Sequence, residues 1–567
     1  MAFYERFVSR SRDNFYTLED LMKNYRVIAD DTFNYGYDVL DELAKELPDS
    51  LAMLWVGADN SERRFTFKDL KRLSDKSANV FKSCGVKKGD MVMLVLKRGY
   101  QFWYAMQGLH KVGAIAIPAT NQLMPKDFVY RCNAAGVKMV VLTGDDDVTE
   151  HFLAAKPECS TVKVMAVTKG KRPSGDWLDF DAAVEAASEN WEKPTGDDYA
   201  GGEDPMLAFF TSGTTGYPKL VWHSCKYPLG HVLTGCFWHR VEPGGLHFTI
   251  SDTGWGKALW GKMYSQWMGE SAVFVYDFER FHAADILEKM AKYRVTTFCA
   301  PPTMYRYLIQ EDIKKYDLSA LHHCTTAGEA LNPEVYNKWQ KATGLKIFEG
   351  FGQTETTLCC LTVYPFMQPR LGSMGLPAPG YRLIVADADG NECEPGVTGE
   401  ICIRTDEAGG GKPCGLFLGY YKDEELTKKV WHDDLYHTGD TAYRDEMGFL
   451  WYVGRTDDVI KSSGYRIGPF EVESSLMEHP AVLEVAVTGI PDPVRGQLVK
   501  ATIVLTAGYQ PSPELVKELQ NYVKKNTAPY KYPRVIEFVD SLPKSISGKI
   551  RRVEIRERDK KMLEGAK

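Results

Sequence analysis

From about residue 60 onward, short apolar runs alternate with stretches of helical length. The run Met91 to Leu96 is followed by a helical stretch over Gln101 to Val112, a strand-like run over Ala114 to Ile117 and another over Lys138 to Leu142. Strands separated by helix-length segments predict βαβ units and a mostly parallel sheet, so the large part of the chain reads as α/β. The pattern changes near Gly454. Beyond it, Pro469 suits a first helical turn because its missing N–H needs no partner there, and Val472 and Leu476 share a face at i, i+4. Strand-like runs at Val482 to Val487, Lys500 to Leu505 and Val535 to Val539 and a helical Pro513 to Asn526 complete a small α+β unit. The expected organisation is a large N-terminal domain over residues 1–456 and a small C-terminal domain over 457–567. No period of about 20–50 residues repeats, which argues against solenoids and propellers. The longest unbroken apolar runs fall far short of the ~18–20 residues of a membrane helix.

Charge sharpens this division. The chain of 567 residues has a net charge of −7. Up to Thr456 it carries 51 basic and 61 acidic side chains, and from Asp457 onward 18 and 15, so −10 and +3 make up the total. A mildly acidic balance supplies no field for nucleic acid, and 12 Trp and 30 Tyr with scattered Pro exclude a disordered chain. The 12 Cys contain no Cys-x-x-Cys pair, which fits neither a zinc site nor a disulfide framework and predicts buried, reduced thiols in the cytoplasm. At the start, Arg6, Arg10 and Arg12 hint at organelle targeting, but Glu5, Asp13, Glu19 and Asp20 argue for a surface N-terminal helix.

Candidate chemistry begins directly after the apolar run Met206 to Phe210, with Thr211, Ser212, Gly213, Thr214, Thr215, Gly216, Tyr217, Pro218 and Lys219. Glycines let backbone N–H groups approach an anion, four hydroxyls add donors and Lys219 adds charge, which suits a polyphosphate. It is not a P-loop, since Pro218 stands where the second Gly is required. In order along the chain follow Ala327-Gly328-Glu329-Ala330, Phe348 to Thr356, Tyr436-His437-Thr438-Gly439-Asp440, Gly454 to Lys461, Ser463-Gly464-Tyr465-Arg466 and Ser547-Gly548-Lys549. Together they resemble the adenylate-forming superfamily of acyl-CoA synthetases, luciferases and peptide-synthetase adenylation domains, over essentially residues 60 to 556. Ser251 to Trp255, Glu478 to Val482, Pro491 to Gly496 and Ala528 to Arg534 look most like medium-chain acyl-CoA synthetases.

The resemblance implies that a carboxylic acid attacks ATP to give an acyl-adenylate and pyrophosphate, and that coenzyme A then displaces AMP. An anion attacking an anion needs neutralisation above all. One ammonium at ~4 Å is worth on the order of 4 kcal/mol at an effective dielectric of 20, or about 10³ in rate. Lys549 matches the family's catalytic lysine. Asp440 should accept the ribose hydroxyls with help from Arg455; Gly328, Glu329, Ala330, Glu349, Gly350, Phe351, Gly352 and Gln353 should border adenine. Thr354 should meet the α-phosphate, and Glu355 should hold Mg²⁺. The small domain is expected to swing about Asp457, first presenting Lys549 and then a coenzyme A face of Ser463, Gly464, Tyr465, Arg466, Arg495, Lys524, Tyr532, Pro533 and Arg534. Trp255, Trp260 and Phe351 are expected acyl-pocket walls. Gly352 stands where acetate-specific relatives close the pocket with Trp, so a medium-chain, branched or aromatic acid is expected. Transfer to a carrier protein, phosphotransfer and non-catalytic nucleotide binding are the alternatives, and monomer and homodimer are both open.

Overall fold

The computed structural model describes residues 2–211, 217–406, 411–544 and 549–565. Among them, the α/β expectation is met by two large sheets and one small one. The first sheet runs Gly419–Tyr420, Lys219–Ser224, Pro205–Thr211, Ile115–Pro118, Met91–Val95, Met139–Gly144, Val164–Gly170 and Trp177–Asp179. Its centre is parallel, with Met93 in register with Ile117 on one side and Val140 on the other. All five residues of Met91–Val95 are buried, which is why this strand reads as an unbroken apolar run rather than an alternation. The crossover helix Gln101–Val112 is buried along its whole length. Gly108 permits its close approach to the helix Phe67–Ser83, because a Cβ there would lie 2.7 Å from that of Ser77.

The second sheet is larger and changes character at its middle. Strands Leu51–Gly57, Ala272–Asp277, Leu246–Thr249, Thr297–Cys299, His323–Ala327 and Ile347–Gly352 are parallel, whereas from Leu358–Leu361 through Ser373–Pro377, Leu450–Arg455, Leu435–Arg444 and Gly399–Arg404 to Leu383–Ala386 each pairing is antiparallel. The loop after Ile347–Gly352, at this change, carries Gln353 to Glu355. Ligands in α/β sheets collect beyond the carboxyl ends of parallel strands for the same geometric reason.

The last strand of that sheet ends at Arg455, and the first of the small sheet begins at Ile460. There, Val482–Asp492 and Gly496–Leu505 form one long hairpin, flanked by Ile460–Ser462, Tyr465–Ile467 and Val535–Phe538. The hairpin extends beyond the predicted runs, since Pro491 pairs with Gln497 in a position the sequence marks as a break. Helix Pro469–Met477 starts where expected, with Val472 and Leu476 fully buried.

The N-terminal reading needs correction. Residues Phe3–Phe7 form a 3₁₀ turn, not a surface helix, and Phe3, Tyr4, Phe7, Val8 and Phe15 are buried. Arg6 and Arg10 pair with Glu46 and Asp20, and Arg12 donates to the carbonyls of Cys236 and Val241. With the charges satisfied at the rim, the rings turn inward against Phe237. The twelve cysteines are free thiols, ten of them buried. Among the described residues no helix is long and apolar enough to cross a membrane.

Candidate active site

A cleft of about 2430 Å³ opens between the large sheet and the small C-terminal unit, and both contribute walls. At one end, Asp440 and Arg455 are direct register partners on neighbouring strands, with Arg455 Nη1 3.3 Å from the carboxylate. Asp440 is nearly fully buried. It accepts hydrogen bonds from the Tyr452 hydroxyl at 3.1 Å and from the Gln353 amide. Burial pushes its carboxyl up, and Arg455, Gln353 and Tyr452 oppose that shift. Gln353 is itself oriented by the Tyr436 hydroxyl at 2.9 Å and donates to the Thr438 carbonyl. The glycine before Asp440 is called for by the backbone: Gly439 has φ +69°, and a Cβ there would also push the Arg455 guanidinium, 2.6 Å away, out of place.

Gly328, Glu329 and Ala330 follow the strand His323–Ala327 and line the same cleft, as do Glu349 to Glu355. Glu349 is buried and receives the Leu331 N–H at 3.3 Å. Burial pushes its carboxyl up to about 8. Glu355 binds the Tyr420 hydroxyl at 2.9 Å, and its pKa is raised by burial against the pull of Tyr420, Lys219 and Arg455. A lone carboxylate facing a cleft, with a lysine near it, fits Mg²⁺ held mainly by phosphates and water.

Thr211 and Lys219 are cross-strand partners at the mouth of a hairpin, and both reach the cleft. The connecting Ser212, Gly213, Thr214, Thr215 and Gly216 lie outside the described residues. Tyr217 stacks on Tyr130 with ring centroids 4.5 Å apart, and the Tyr130 hydroxyl donates to the Pro218 carbonyl. Lys549 lines the cleft from the small unit. Its charge opposes the rise that burial causes at Asp440 and adds to the fall that burial causes at Lys257.

The proposed coenzyme A residues are elsewhere. Ser463 and Gly464, with φ +51° and +85°, make the tight turn between Ile460–Ser462 and Tyr465–Ile467. Tyr465 stacks on Tyr530 at 4.0 Å, and Arg495 donates to Ser463. Lys524 and Arg534 both lie over the Tyr532 ring, and the Pro533 carbonyl accepts from Gln520. None of the nine, Arg466 included, lines the cleft that Lys549 faces. Asp457, by contrast, lies on its rim, 3.8 Å from Arg455.

Trp255 and Phe351 line the cleft, but Trp260 does not; it stacks among His231 and His239 behind the wall. Gly352 does not simply vacate a Trp-sized space. A Cβ there would meet the Thr357 carbonyl at 2.4 Å, so backbone crowding already demands glycine. Conversely, sequence reading passed over Tyr420 and Tyr452, whose hydroxyls hold Glu355 and Asp440, and Lys257, which donates to the Ala327 carbonyl at 2.8 Å. A lysine two residues past the Ser251 to Trp255 motif was the available signal for the last.

Residues 40–421 match the family model described as AMP-binding enzyme, and 471–549 match the AMP-binding enzyme C-terminal domain. The chain belongs to the AMP-binding enzyme family. It is 38% identical over 559 residues to the human protein named acyl-coenzyme A synthetase ACSM3, mitochondrial, covering 97% of this chain and 94% of that one. Among solved structures, the anthranilate CoA ligase AuaEII in complex with anthranoyl-AMP superposes with a TM-score of 0.84 at 27% identity, over 94% of this chain and 98% of that one. An acyl-CoA synthetase from Brucella canis gives 0.70 at 30%, over 98% and 99%. This AMP-binding enzyme is an AMP-forming acid–CoA ligase, as the motifs imply, which leaves phosphotransfer and passive nucleotide binding without support. The mitochondrial name of the human relative leaves the expected cytoplasmic location unsupported.

Proposed function

We propose that the enzyme activates a medium-chain, branched or aromatic carboxylic acid with ATP and passes it to coenzyme A through domains divided at 456/457. The observation that carries the reading is the meeting of Asp440, Arg455, Gln353 and Glu355 from the large unit with Lys549 from the small one across a single cleft. Asp440 accepts the ribose diol, for which a carboxylate with two acceptor oxygens is suited. Arg455 keeps that carboxylate charged while reaching toward the phosphates. Gly328 to Ala330 and Glu349 to Gly352 frame adenine, Thr354 meets the α-phosphate, and Thr211 to Lys219 cradle the leaving pyrophosphate. Mg²⁺, when bound at Glu355, offsets polyphosphate charge. Lys549 neutralises the charge that builds as carboxylate meets phosphate, where a fixed ammonium acts most strongly.

The coenzyme A residues lie away from this cleft, so the second step requires the small unit to turn about Asp457. Twelve free thiols favour a reducing compartment, the cytoplasm on the sequence reading; fractionation against mitochondrial markers tests this. The acid is tested by a pyrophosphate-release screen over straight, branched and aromatic acids, with and without coenzyme A. Acid-dependent pyrophosphate release and coenzyme A-dependent thioester formation are expected for acids longer than acetate. ADP formation, or a strict preference for acetate, overturns the reading.

A further inference from the structure

At the edge of the cleft, two neighbouring strands bring three different metal-binding side chains to one point. Cys402 on Gly399–Arg404 is the direct register partner of His437 on Leu435–Arg444, and Glu400 precedes it in the same strand, across a bulge. Their carboxylate oxygen, thiol sulfur and ring nitrogen all lie within 4.8 Å of one another. Glu400 Oε2 is 3.1 Å and Cys402 Sγ 3.5 Å from the same ring nitrogen, His437 Nδ1.

That shared nitrogen decides among the possible chemistries. A nucleophile relay needs its thiol and its carboxylate on opposite ring nitrogens, so that one is deprotonated while the other orients the ring. Here both crowd Nδ1, which can hold one proton and serve one partner at a time. A cation placed there satisfies all three. The other nitrogen, Nε2, is buried and makes no hydrogen bond among the described residues, so moving the ring proton to it sacrifices no existing contact there. Imidazole, thiolate and carboxylate with an open fourth position form a donor set for Zn²⁺, at variance with the all-oxygen preference of Mg²⁺. Cys402 is fully buried, whereas Glu400 and His437 line the cleft, so the open position faces it.

We propose that Glu400, Cys402 and His437 bind one Zn²⁺-class cation, and that its presence weakens ATP binding. Coordination forms metal–sulfur, metal–nitrogen and metal–oxygen bonds and breaks the Cys402 S–H bond. That proton goes to the buffer, the His437 proton moves from Nδ1 to Nε2, and no electron is transferred. The effect on ATP rests on the reading of Asp440 as the ribose acceptor. Glu400 Oε1 accepts the N–H of Gly439 at 2.8 Å, and a cation drawing on that carboxylate loosens the turn that presents Asp440.

The test uses Co²⁺ as the probe on the full chain without substrates. One equivalent should give a thiolate-to-cobalt charge-transfer band that Zn²⁺ abolishes by displacement and excess Mg²⁺ does not. Cys402→Ser should remove the band. Because a buried substitution can cost folding, Glu400→Gln supplies the second variant: it keeps an acceptor for Gly439 N–H, and should weaken Co²⁺ binding by about tenfold or more. No band at one equivalent, or a band undiminished in Cys402→Ser, overturns the site. In steady-state assays Zn²⁺ should raise the KM for ATP of the wild type several-fold, and that of Glu400→Gln less, each relative to its own metal-free value. Metal binding with an unmoved KM overturns the inhibitory effect alone, independently of the site.

Discussion

At neutral pH the carboxyl of Glu349 keeps its proton, because burial holds its pKa at about 8. Below the ordinary glutamate value of 4.5 both folded and unfolded chains are protonated at this position, and the group adds no pH dependence. Between 4.5 and about 8 the unfolded chain ionises first, so the folded state loses stability as pH rises, by a few kcal/mol in all. Glu349→Gln removes that loss. Its melting temperature should gain on the wild type from pH 5 to 8, and parallel melting curves would contradict the assignment. The Lys549 side chain belongs to the same scale. Lys549→Ala should slow acyl-adenylate formation by ~10²–10³ while sparing much of thioester formation from supplied acyl-adenylate; equal loss in both half-reactions refutes its role.

Strand pairing, rather than any one motif, assembles the nucleotide end. Asp440 and Arg455 were legible as motif residues, but their direct pairing was not, since register depends on which strands become neighbours. Tyr452 reaches Asp440 for the same reason, and Tyr420 reaches Glu355 across 65 positions of chain. Tyr452→Phe removes one donor worth ~0.5–1.5 kcal/mol from a buried carboxylate, so the KM for ATP should rise by roughly two- to tenfold with kcat little changed. An unchanged KM contradicts Asp440 as a ligand of the nucleotide. The strands at Met91–Val95, Ile115–Pro118 and Met139–Gly144 were legible because full burial leaves continuous apolar runs. The N-terminal turn was not, because its arginines masked rings whose burial depends on Phe237, more than 200 positions away. Gly352 has a second reason to be glycine that the sequence does not show: a missing side chain reports where the backbone is tight as readily as where a ligand needs room.

For the whole molecule, the central fact is that Lys549 and the Tyr465 surface do not serve the cleft together. The proposed hinge at Asp457 would resolve this, and Asp457→Pro should keep one half-reaction and impair the other; two intact half-reactions would remove the hinge proposal. Tyr465→Ala should spare pyrophosphate release and raise the KM for coenzyme A, whereas matched losses in both steps would place the surface outside thiol binding. Returning to the present arrangement makes its own demand. Helix Pro469–Met477 begins at Gly468, where a Cβ would fall 2.4 Å from the Val453 carbonyl. Backbone rests there on the strand Leu450–Arg455, beside the Phe470 ring against Tyr452 and the Asn332 amide on the Ser474 carbonyl. In the proposed swing about Asp457 this contact would act as a mechanical stop, so that the fit of two backbones sets the alignment in which Lys549 returns to the cleft.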